Sequence, residues 1–318
     1  MLRLFAVVKK RYESWMLLLL ACTRPIDTSA VLDSAPPDTD PPEPVTCPEA
    51  GEAVTAGSLD NTALNEVSGV VESRQNSDVL WVHNDSGDEP RLYAISTAGA
   101  LKSTWLLTGA SRGDWEDLAI GDDGSGGSLL YVGDIGDNGK SRETITVHRV
   151  PEPEVITSEK IQAVAFDSLT LTYPDSPLNA ETLLLDPLTD DLYVVTKDYQ
   201  GATGIFRKAA PHTGGESAQL EEVAWLDFSA EPLSGGATTG GSISADGRYI
   251  VIRTYGTRAY VWLRQHGMSI AEAFAGEPCP ITLPGEQQGE SIGFASQGGA
   301  LWSISEGVEA PVYSIPLQ

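Results

Sequence analysis

The feature that most constrains this chain is a phrase that recurs. Asp114-Trp115-Glu116-Asp117-Leu118-Ala119-Ile120 opens an apolar run, and a turn leads to Leu129-Leu130-Tyr131-Val132-Gly133-Asp134-Ile135-Gly136-Asp137-Asn138. The same order of acidic residue, apolar run, turn, second apolar run and polar loop returns twice. It stands at Glu181–Leu185 with Leu192–Asp198, and at Glu290–Phe294 with Leu301–Glu306. Degenerate copies stand at Ser68–Val71 with Leu80–Asp85 and at Gly241–Ser244 with Tyr249–Arg253. Copies recurring every 50–60 residues or so are the mark of a radial repeat in which each copy builds one blade of a β-propeller.

Helix-period patterns are nearly absent, and the apolar runs are short and broken by Gly, Asp and Ser, which predicts an all-β chain. The chain's 318 residues suffice for one large core. The reading is a single propeller of five four-stranded blades, with six as the alternative if one segment is divided differently. Predicted strands are 67–72, 79–84, 91–96 and 101–107 for blade one, and 115–121, 128–134, 144–150 and 161–173 for blade two. Blade three takes 181–185, 191–197, 203–208 and 219–228. Blade four takes 238–245, 248–254, 258–263 and 270–275. Blade five has three strands, 290–295, 299–305 and 311–316. The spare strand at 52–59 is expected to complete it, closing the ring and covering an open edge. A ring closed within one chain is expected as a monomer.

Antiparallel pairing brings the start of a blade's first strand and the end of its second to the same rim. Most of the unusual polar residues fall in those two places. First-strand starts supply Glu116, Asp117, Glu181 and Glu290. Second-strand ends supply His83, Asn84, Asp85, Asp134, Asp137, Asn138, Lys197, Asp198, Arg253, Tyr255 and Glu306. The other rim receives ordinary turns such as Asp122–Gly127 and Ala245-Asp246-Gly247. A repeated glutamate also has a purely structural reading, as a cap on backbone N–H groups at each blade's entry. The cluster of Asp134, Asp137, Asn138 and Lys197 fits that reading less well.

Carboxylates crowded together raise one another's pKa unless a cation intervenes. Convergent glutamates therefore predict a bound cation, a shared proton or a basic partner. Oxygen-only donors favour calcium, and no His or Cys cluster argues for zinc. The expected metal ligands are Glu116, Asp134, Asp137, Glu181 and Glu290. His83, Asp85, Lys197, Arg253 and Tyr255 are expected to contact a ligand. The formal net charge of -25 disfavours nucleic acid or an anionic membrane surface as a direct partner. Gly289-Glu290-Ser291-Ile292-Gly293 fits G-x-S-x-G, but it opens a propeller strand rather than a strand-to-helix elbow, so no nucleophile is assigned to it.

At the N-terminus, Lys9, Lys10 and Arg11 precede an apolar run from Trp15 to Ala21 that is too short to span a bilayer and fits a signal-peptide core. Leu19-Leu20-Ala21-Cys22 resembles a bacterial lipobox, which implies cleavage before Cys22, its lipidation and, with Thr23 following, outer-membrane sorting. The expected divisions are a signal peptide over 1–21, a lipidated cysteine with a Pro- and Asp-rich tether over 22–46, and a propeller over 47–318. With Cys22 lipidated, Cys47 and Cys279 remain as a pair in an oxidising compartment, and a disulfide between them is the favoured reading. The membrane would then be met only through the lipid.

The phrases Trp81–Gly87, Asp114–Ala119 and Gly133–Asn138 resemble those of secreted bacterial propellers. The Glu-plus-small-apolar strand starts are similar to phytase-like and TolB- or SMP-30-like propellers. That resemblance implies calcium held at the channel mouth, here by Glu116, Glu181, Glu290 and Asp134. The dense basic set expected of a true phytase is missing. The functional expectation is an envelope-tethered propeller binding a small molecule or protein at an acidic mouth, with calcium as its cofactor. The alternative is a hydrolase, glycosidase-like or phosphoesterase, with Glu116, Glu181 and Glu290 as catalytic candidates.

Overall fold

The computed structural model describes residues 43–231 and 233–318. The signal segment over 1–21, Cys22 and the tether as far as residue 42 lie outside the described residues. Five sheets carry the chain, each with a core of four antiparallel strands. Their inner strands are Val67–Glu72, Trp115–Asp122, Ala180–Leu185, Thr238–Ile243 and Gly289–Phe294, and each packs against the inner strands of the neighbouring blades. The molecule is a five-bladed β-propeller.

The hydrophobic core is not one body but five wedges, one at each junction between blades. The inner strands are therefore covered on both faces, and Ala180–Leu185 is buried throughout. Continuous apolar runs rather than alternating ones are the result. Blade five is completed from the N-terminus: Val54–Ser58 pairs antiparallel with Pro311–Pro316. The same segment is tied to blade four by the Cys47–Cys279 disulfide, whose Cα atoms lie 5.7 Å apart. Residues 43–46, read as the end of the tether, lie against the propeller, with Val45 buried and bonded through both backbone groups to Gln265.

Two predicted strands need correction. The segment 161–173 is two strands, because Gln162–Val164 leaves blade two to pair parallel with Leu101–Leu107, the outer strand of blade one. Ser217–Gln219 of blade three does the same for blade two. These straps cover outer edges that would otherwise present unpaired backbone groups. The segment 270–275 is helical, not extended: Ser269 and Glu272 form a reciprocal capping box at the start of the helix Ile270–Phe274. The fourth strand of blade four is Cys279–Thr282.

Candidate metal centre at the channel mouth

All five inner strands share one irregularity. In each, the pairing register slips by a residue near the strand's start. The slips fall between Val67 and Gly69, Trp115 and Asp117, Ala180 and Thr182, Thr238 and Gly240, and Gly289 and Ser291. The residues left out of the ladder are Ser68, Glu116, Glu181, Thr239 and Glu290. A bulge bends the strand and re-aims the extra side chain. Here it does so five times at the same rim, so three glutamates and two hydroxyls occupy equivalent positions around the channel.

The glutamates are not equally served by donors. Glu181 is paired with Lys197, whose Nζ lies 2.5 Å from Oε1, and both side chains are buried. Lys197 also donates to Tyr255 Oη at 2.8 Å and sits 4.4 Å from the centre of that ring. Tyr255 in turn donates to Glu290 Oε1 at 3.1 Å, and Gln288 reaches the same oxygen at 3.2 Å. Glu290 Oε2 is buried and has no partner among the described residues. One oxygen each from Asp85, Glu290 and Glu306 lies within 4.8 Å of the others, and the same holds for Asp85, Asp114 and Glu116. The loop over the second group approaches closely: a Cβ on Gly136 would fall 2.0 Å from Glu116 Oε1 and 2.5 Å from Asp114 Oδ2.

Burial without donors sets the acid–base character of the mouth. Burial, with Asp114, Glu290 and Glu66 nearby, pushes Asp85 up to about 7. Glu306 rises to about 8 through burial and the adjacent Glu290. Glu116 is driven well above the carboxylate range by burial, then by Glu181, Asp85 and Asp114. Burial also lifts Glu181 to about 7, with Lys197 opposing and Glu290 and Asp85 assisting. Lys197 is pulled down by burial but carried above its ordinary value by Glu181 and Tyr255, so it stays charged.

Other residues singled out from the sequence are engaged elsewhere. Asp134 accepts from the Asp114 N–H and the Ser111 hydroxyl, both at 2.9 Å, and pairs with Arg142 at 2.8 Å. It holds the loop that carries Asp114. Asp137 caps a turn, accepting from the backbone N–H of Ser141 and Arg142. His83 is fully buried, with Nδ1 2.8 Å from the Asn84 carbonyl and its ring at the edge of Trp115, and burial lowers it to about 4. Arg253 is buried against Glu286 at 2.9 Å and donates to the Ser291 carbonyl and the Ser303 hydroxyl. Asn84, Asn138 and Asp198 bond within their own loops or to Lys140 and Asn179. Asp117 lies inside the ring, accepting from the N–H groups of Leu118, Leu183 and Gly241, and so ties together the inner strands of three blades. Ser291 is buried and bonded to Ile304 through both its functions, which leaves no nucleophile in the G-x-S-x-G stretch.

Asp114, Glu286, Arg142 and Asn179 were not singled out from the sequence. Asp114 had a signal: it stands two residues before a bulge glutamate. Among the described residues, the free ligand atoms at the mouth are carboxylate oxygens drawn from three blades. That set suits a hard, oxygen-seeking cation such as calcium, and the unpartnered Glu290 Oε2 is the atom such an ion would satisfy.

No family model matches the chain, and no curated protein matches it. Solved structures that resemble it are distant in sequence. The WD40 repeats of RRP9 align at 16% identity over 79% of this chain and 67% of that one, with a TM-score of 0.39. Raptor from Chaetomium thermophilum aligns at 11% identity over 86% of this chain and 30% of its own, TM-score 0.47. XC5397 from Xanthomonas campestris, described as a gluconolactonase, aligns at 13% identity over 86% of this chain and 96% of its own, TM-score 0.47. Likenesses at this level carry nothing about chemistry, and the propeller rests on its own strand pairing.

Proposed function

We propose that this chain is an envelope-tethered propeller that binds calcium at its channel mouth and, through calcium, a polar small molecule or protein partner. The observation that carries the reading is Glu290 Oε2, a buried carboxylate oxygen without a partner, facing Asp85 and Glu306. An unsatisfied buried acceptor costs about 1–3 kcal/mol, more when charged. A cation removes that cost and the mutual repulsion of the surrounding carboxylates. The tether rests on the lipobox-like sequence at Cys22, and its test is release of Cys22→Ser from the membrane fraction.

A hydrolase built on Glu116, Glu181 and Glu290 would need one carboxyl held ionised and another protonated. Burial raises Glu116 well above the carboxylate range while Lys197 opposes the rise that burial imposes on Glu181, but Glu181 is committed to that lysine rather than open to a substrate. The binding reading is therefore the one carried forward.

The test is thermal melting with calcium, magnesium and chelator. Saturation to 100 times Kd adds about 2.7 kcal/mol, which for a domain of this size raises Tm by about 5 °C. Magnesium, confined to a small octahedral cage, should do less. Glu290→Gln should reduce the calcium shift. An unchanged wild-type Tm in calcium overturns the reading.

A further inference from the structure

The mouth's carboxylates fall into two groups rather than one. Asp85, Glu290 and Glu306 form the first, and Asp85, Asp114 and Glu116 the second, with Asp85 the only shared member. Ring order explains this. Glu290 and Glu306 belong to blade five, Asp114 and Glu116 to the entry of blade two, and Asp85 to blade one between them. Blade one carries Ser68 at its bulge instead of a glutamate, so its acidic group comes from the end of the second strand.

Each group contains a buried glutamate. In the first it is Glu290, which is 2% exposed and whose Oε2 is unpaired. In the second it is Glu116, also 2% exposed, which faces the carboxylates of Asp114 and Asp85 and is raised by burial and by them. Calcium binds oxygen at about 2.3–2.6 Å, so two oxygens on one ion lie at most about 5 Å apart. Each group meets that limit by itself. Charge points the same way: one divalent ion among five carboxylates leaves most of the repulsion in place, whereas two ions nearly balance it.

Resting on the calcium-binding reading above, we infer that the mouth holds two cations bridged by the Asp85 carboxylate, one against Glu290 and Glu306 and the other against Asp114 and Glu116. A shared carboxylate is what lets two divalent ions sit at the roughly 3.5–4 Å separation found in two-metal sites. Lys197, paired with Glu181, supplies a fixed positive charge on the remaining side of the ring.

Equilibrium dialysis of the full chain against calcium tests this, with terbium luminescence sensitised by Trp115 as a second measure on the unaltered protein. Two ions per chain are expected. Glu306→Gln and Asp114→Asn should each retain one ion, and Asp85→Asn should weaken both by at least tenfold. Melting curves in chelator establish that the variants are folded. One ion per chain in the unaltered protein overturns the bridged pair and leaves the calcium reading standing. No bound ion overturns both.

Discussion

The two rims of the propeller are both rich in aspartate and glutamate, yet they are chemically opposite. At the rim formed by the turns between inner and second strands, most acids are met by donors, Asp190 being an exception among the described residues. Asp123 accepts from the N–H groups of Ser125 and Gly127, and those bonds lower it below its ordinary value. Asp186, buried like the mouth glutamates, accepts from the Leu188 N–H, the Thr189 hydroxyl and Arg264. Asp246 accepts from Ser244 and the Arg248 N–H. At the mouth, Asp85, Glu116 and Glu306 are buried or half-buried with few or no donors, and all three are raised. Acid count does not distinguish the rims. The ratio of donors to carboxylates does, and a donor deficit is what makes an acidic surface a candidate cation site.

Replacing Lys197, the cation paired with Glu181, should break this contrast most severely. Lys197→Met leaves Glu181 buried without its partner, and a broken buried pair costs about 3–5 kcal/mol. Metal-free protein should lose that stability in urea unfolding, and calcium should recover more of it than in the unaltered chain, because the competing charge is gone. An intermediate effect is expected from Gly136→Ala. Its methyl group would displace the Glu116 and Asp114 carboxylates, so calcium should bind at least tenfold more weakly, about 1.4 kcal/mol, with the blades intact by circular dichroism. The smallest effect belongs to the other rim. Asp246→Asn should leave the calcium midpoint where it was, and a shift there would mean that acid count, not donor deficit, governs the mouth.

Much of this was legible in the sequence because propeller blades repeat. The apolar runs fall on the observed strands, and the positions of Glu116, Glu181 and Glu290 identify one rim. The Cys47–Cys279 bond was legible as the pair left once Cys22 is assigned to lipid, and closure of the last blade by the spare N-terminal strand agrees with it. Two classes of feature were not legible. The bulges are a property of register between two strands, and a single strand's residues carry no sign of a slipped partner. The division of acids into engaged and free depends on donors distant in sequence. Asp134 looks like a ligand until Arg142 and the loop at Ser111 close on it, and Arg253 looks like an anion contact until Glu286 does. The helix at Ile270–Phe274 has a sequence signal in the capping pair Ser269 and Glu272, at a place where a fourth strand is expected.

The donor deficit has a direct signature in protons. Folded-state values raised above the ordinary carboxylate range mean that the contribution of these groups to stability is full below about pH 4. It is lost as pH rises through about 7 for Asp85 and Glu181 and about 8 for Glu306. Metal-free protein should therefore weaken between pH 4 and 8 or so, and calcium should displace the protons that remain. Calorimetric titration of calcium in buffers of differing ionisation enthalpy counts those protons. The account predicts net proton release on binding near pH 6.5, fading by about pH 9 as the carboxyls become ionised beforehand. Calcium binding with no proton release at pH 6.5 would show that the mouth's carboxylates are already ionised, and would contradict the account.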